Sequence, residues 1–146
     1  MSGFFLLKEI HSSNILHFLW YSRFVIDDQV LKCVKKRTFH MLEPLLISTT
    51  FESRADAEKM AAALLDKRLV ACAQIAGPVS SSYWWQGEIV FSEEYLLVMK
   101  SDASLYKELE QFVQKSHPYD TPEIIATVIT HLSEDYRQWL EKELRI

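Results

Sequence analysis

The sequence predicts an α+β fold with the element order β-α-β-β-α-β-α, and three observations carry that prediction. Short apolar runs rich in residues that suit a pleated sheet alternate with stretches whose apolar residues recur at helical spacing. Each helical stretch is preceded by a serine or aspartate in capping position. Gln86-Gly87 forms a two-residue connection between two of the strand runs, the signature of a hairpin. With 146 residues, 49% of them hydrophobic, the chain has the length and apolar content to build one continuous core.

The first strand is read over Leu45–Phe51, where LLISTTF is apolar and β-branched. Ser53, with Asp56 three residues on, resembles a capping box, and Ala57, Met60, Ala61, Leu64 and Leu65 then share one helical face to about Lys67. Leu69–Ile75 returns to strand composition, bends or bulges at Gly77-Pro78 and continues over Val79–Trp85. The returning strand comprises Glu88–Phe91 and Tyr95–Lys100, the latter apolar on both faces as in a strand covered from both sides. Ser101 or Asp102 caps the next helix, whose core face is Leu105, Leu109, Phe112 and Val113, and which must end before Pro118. A fourth strand is read over Ile124–Leu132. Ser133 then caps a terminal helix with Tyr136, Trp139, Leu140 and Leu144 turned inward.

That order is the split βαβ, or ferredoxin-like, arrangement, in which two right-handed crossovers put two helices on one face of an antiparallel sheet. One short C-terminal helix is too small to hide the other face, and an uncovered apolar face or long edge is a liability that assembly removes. Self-association is therefore expected on physical grounds.

Residues 1–43 show no sustained period of either kind and are read as an N-terminal extension, either disordered or translated upstream of a natural start at Met41; residues 44–146 form the folded domain. The apolar run Asn14–Ile26 is interrupted by His17 and Arg23, is too short to span a bilayer, and is followed by Asp27-Asp28 rather than a cleavage pattern. Neither an anchor nor a secretory signal is expected. The basic cluster Lys32, Lys35, Lys36 and Arg37 reads as a solvated charge run. A net charge of -4 and a pI near 5.7 leave no electrostatic footprint for nucleic acid. Cys33 and Cys72 are far apart and lack any zinc-type spacing, which argues for a reducing, cytoplasmic compartment.

Catalytic signatures are missing: there is no GxSxG, no HExxH and no cysteine near a histidine, and with only 3 glycines no Gly-rich phosphate loop forms. An enzyme is not expected. The stretch HPYDTPE, residues 117–123, has a structural explanation in its prolines, which stop the helix and delay strand pairing. Left over are His117, Tyr119, Asp120 and Glu123. An imidazole beside carboxylates suits copper or zinc, and two ligands, His117 and Glu123, make a weak site. Cys72, among small apolar residues, reads as a buried hydrophobe. Trp84 and Trp85 point to opposite faces of their strand, so at most one lines any given pocket.

Four motifs in order, Leu69-Val70-Ala71-Cys72-Ala73, Tyr83-Trp84-Trp85-Gln86-Gly87-Glu88, the 117–123 stretch and Tyr136-Arg137-Gln138-Trp139-Leu140, make the chain similar to the CutA divalent-cation tolerance family from about Leu45 to the C-terminus. The resemblance implies a ferredoxin-like fold assembled as a tight homotrimer, an architecture related to PII signalling proteins, and a part in copper tolerance and copper binding. In bacterial members the metal positions are a cysteine late in the first strand and two consecutive histidines before Pro-Tyr. Those places fall on Thr49, Ser116 and His117, of which only His117 keeps a good ligand, so Cu(I) affinity is expected to drop. Two functions are expected to compete. One is a trimeric, metal-responsive protein binding copper or another divalent cation weakly through His117, with Glu123 or a neighbouring subunit assisting. The other is a PII-like regulatory or interaction module whose inter-subunit cleft takes a small ligand near Trp84, Lys100, Tyr119, Thr121 and Glu123, with metal incidental.

Overall fold

The structure, a computed structural model, describes residues 41–146. The readings made on residues 1–40, Cys33 and the basic cluster among them, lie outside the described residues. Seven elements follow in the predicted order: β1 (Pro44–Phe51), α1 (Arg54–Asp66), β2 (Cys72–Trp85), β3 (Glu88–Asp102), α2 (Ala103–Ser116), β4 (Ile125–Val128) and α3 (Glu134–Glu143). All strand pairs are antiparallel, and the sheet order is β2-β3-β1-β4. This is the ferredoxin-like order expected of two βαβ crossovers folded onto one sheet.

Local chemistry explains where the elements start. Ser53 has extended backbone, and its hydroxyl accepts the Asp56 amide at 3.1 Å while donating to the Asp56 carboxylate at 2.8 Å, which closes the first turn of α1. Asp102 caps α2 by accepting from the Ser104 amide at 2.9 Å and hydroxyl at 2.6 Å; its other oxygen accepts the Glu43 amide at 2.6 Å, tying the entry of β1 to the exit of β3. Ser133 occupies the cap position of α3 but makes no side-chain cap bond. That helix start is stabilised instead by Glu134, which accepts from Arg137 and Gln138 and is thereby held down to about 2.

The sheet places its alternate residues on two unlike faces. Leu45, Ile47, Thr49 and Phe51 of β1 and Leu97 and Met99 of β3 are buried, in one core with Ala57, Met60 and Leu64 of α1 and Leu105, Leu109 and Val113 of α2. Register sets the opposite row: Thr127, Leu46, Lys100 and Cys72 stand side by side across the four strands. Leu46 and Ile125 remain exposed on this second face.

Several boundaries differ from the sequence reading, each for a local reason. Leu69 and Val70 are buried but lie outside the sheet, because Arg68 adopts a left-handed conformation (φ 52°) that ends α1, and Ala71 is the first residue to bond β3, through Lys100 O at 2.9 Å. β3 is one unbroken strand: Ser92 and Glu93 pair with Ser81 and Ser80, so polarity there does not interrupt the ladder. β4 is shorter than Ile124–Leu132, since β1 offers it partners only from Leu45 to Ser48, with a last backbone bond from Ile129 N to Pro44 O at 2.9 Å. In α3 Leu140 and Leu144 turn inward as expected, whereas Trp139 is 39% exposed and packs against Tyr136 with ring centroids 5.1 Å apart.

The hairpin is built as its residues dictate. Gln86 and Gly87 both have positive φ, 51° and 88°, the geometry of a type I′ turn that matches strand twist. The register slips between Ala76 and Val79 around Gly77, whose φ of 139° and whose approach to Glu94 O (2.9 Å from a built Cβ) exclude a side chain.

Candidate functional site

The corner between α2 and β4 closes on β1. His117 ends α2, with its amide bonded to Val113 O at 2.8 Å, and its ring lies flat on Phe51, centroids 4.3 Å apart. Nδ1 accepts the Tyr119 amide at 3.1 Å, and Nε2 lies 3.3 Å from Thr49 Oγ1. An amide N–H only donates, so Nδ1 is the unprotonated nitrogen and Nε2 carries the proton. Burial pushes the imidazole below its ordinary value, against opposing contributions from a Thr50 backbone bond and from Asp56 and Glu94. A neutral imidazole with both nitrogens in use is the result.

From this anchor the corner reaches the hairpin. Tyr119 stands 5.0 Å from the His117 ring and donates its hydroxyl to Glu94 Oε1 at 3.0 Å, Glu94 itself being buried. Burial, and then the Glu94 carboxylate, raise the Tyr119 phenol well above the usual tyrosine range, so it stays a donor. Ser48 of β1 donates to Glu123 at 3.3 Å, which fastens the far end of the 117–123 stretch.

Between the corner and the hairpin lies a groove of about 1160 Å³. Its rings are Tyr83, Trp85 and Tyr119, its carboxylates Glu52, Glu93, Glu94, Asp120 and Glu123, and no lysine or arginine lines it. Ser92, also in the wall, carries a buried hydroxyl with no hydrogen-bond partner. Of the residues singled out in the sequence, Tyr119, Thr121 and Glu123 meet here. Trp84 does not: it is 72% exposed, on the hairpin face opposite Trp85, as strand alternation requires. Lys100 stands apart as well, on the second sheet face, donating to Gln74 Oε1 at 2.6 Å with Cys72 Sγ at 3.7 Å. Cys72 is half-buried rather than buried.

The positions a metal would need are equally plain. Thr49 is fully buried and faces His117, Ser116 is exposed at the end of α2, and Glu123 is engaged by Ser48. Among the described residues no group of three or more His, Cys, Asp or Glu side chains is placed to hold a metal ion. Sequence reasoning missed Glu94, Ser92, Tyr83 and Glu52 as partners of the corner. Tyr83 had a signal, standing two residues from Trp85 on the same strand face; Ser92 and Glu94 were placed by the β2–β3 register, and Glu52 by the end of β1. No helix among the described residues is long and apolar enough to cross a membrane.

Comparison with known proteins adds three findings. The sequence profile of the CutA1 divalent ion tolerance protein family matches residues 45–143. The chain is 36% identical over 101 residues to the divalent-cation tolerance protein CutA of Pyrococcus horikoshii, covering 69% of this chain and 98% of that one, and 37% identical over 100 residues to a probable divalent-cation tolerance homologue of Encephalitozoon cuniculi, covering 68% and 87%. Its fold is similar to the crystal structures of CutA1 from Ehrlichia chaffeensis (TM-score 0.69, 31% identity, 73% of this chain and 100% of that one) and from Oryza sativa (TM-score 0.69, 30% identity, 71% and 95%).

Proposed function

Because the chain belongs to the CutA1 divalent ion tolerance protein family, we propose that it serves divalent-cation tolerance as a cytoplasmic homotrimer without catalytic activity, and that any copper it takes at the corner is held weakly by His117. The observation that carries the metal half of this reading is the state of His117. Both ring nitrogens are engaged within the chain, and the neighbouring position that a soft metal needs holds the Thr49 hydroxyl. The residues present therefore do not fit a Cu(I) cage, since soft thiolate ligation is what selects that ion. One imidazole that must first leave the Tyr119 amide is a poor ligand.

The assembly half rests on exposed apolar area. Trp84, Ile89 and Phe91 are 72%, 53% and 77% exposed on one face of the hairpin, and Leu46 and Ile125 are open on the second sheet face. A patch of that kind on a small domain marks a protein interface. Three copies burying it would give the sheet the cover that α3 does not supply.

Calorimetric titration with Cu(II), and with Cu(I) under reductant, tests the first half on the full chain and on His117→Ala. The expected dissociation constant lies above about 1 μM, weaker than about -8 kcal/mol. A micromolar or tighter site that disappears in the variant would overturn the weak-site reading. Sedimentation equilibrium tests the second half: a trimer is expected, broken by Trp84→Asp with Phe91→Asp, and a monomeric unmutated chain would sink it.

A second reading has its own observation. The groove beside Tyr119 is large, aromatic and charged, which favours a regulatory module that binds a small ligand there with metal incidental.

A further inference from the structure

We draw no further inference here: the strongest candidate, the cluster of Cys72, Gln74 and Lys100 on the second sheet face, rests on a single cysteine hydrogen-bonded within the chain, and nothing in the structure shows what covers that face.

Discussion

Replacing His117 by phenylalanine separates the hydrogen bonds of the imidazole from its packing. The new ring keeps the flat contact with Phe51, so the apolar area lost is small. What disappears is the acceptor of the Tyr119 amide and the partner of Thr49 Oγ1, the latter in a residue with no exposed surface. A buried polar group left without a partner costs about 1–3 kcal/mol, and the Tyr119 amide, only partly buried, belongs at the lower end. The sum is about 2–4 kcal/mol. Guanidinium unfolding at a fixed protomer concentration measures it as a fall in midpoint with unchanged slope. Thr49→Val in the His117→Phe background removes the orphaned hydroxyl and should recover about 1 kcal/mol, which a double-mutant cycle would register as coupling. Loss of less than about 0.5 kcal/mol in His117→Phe would refute the reasoning, because surface substitutions commonly cost that much.

The same imidazole predicts a pH dependence. Its folded value lies below its unfolded value of 6.5, so the folded chain binds the proton less readily than the unfolded one. Its contribution is fully present above pH 6.5 and is lost as the pH falls from there through the folded value. Unfolding midpoints should thus fall more steeply on acidification for the unmutated chain than for His117→Phe, and parallel curves would refute the assignment. At the bulge, Gly77→Ala should destabilise by about 1–3 kcal/mol, the cost of a strained backbone position, because a Cβ would meet Glu94 O at 2.9 Å at a φ of 139°. A neutral result in denaturant unfolding would show that the bulge relaxes. Leu140→Ala, at the fully buried position of α3, should cost about 2–5 kcal/mol in the same assay; a smaller loss would mean that α3 is not part of the core.

Much of the architecture was legible because it is local. Period, caps and the Gln86-Gly87 turn act over a few residues, so the order of the elements, the hairpin and the opposed faces of Trp84 and Trp85 follow from the chain itself. The errors share the opposite cause. The extent of β4 depends on how far β1 runs beside it, the place of Leu69 on the left-handed turn at Arg68, and the exposure of Trp139 on which side of α3 meets the core. His117 could be picked out by its neighbours in sequence, and so could Tyr119 and Glu123. That the imidazole would lie on Phe51 with Thr49 at one nitrogen and the Tyr119 amide at the other required β1 and the corner to meet across 68 residues of chain. Residue type alone offered a ligand. Tertiary packing turned it into a neutral, doubly bonded strut, because burial disfavours the charged ring and each nitrogen meets a group that satisfies it. The acidic groove was likewise the work of register, since Glu94 and Tyr119 lie on different elements and become partners only when β3 is set against β1 and the corner folds back over it.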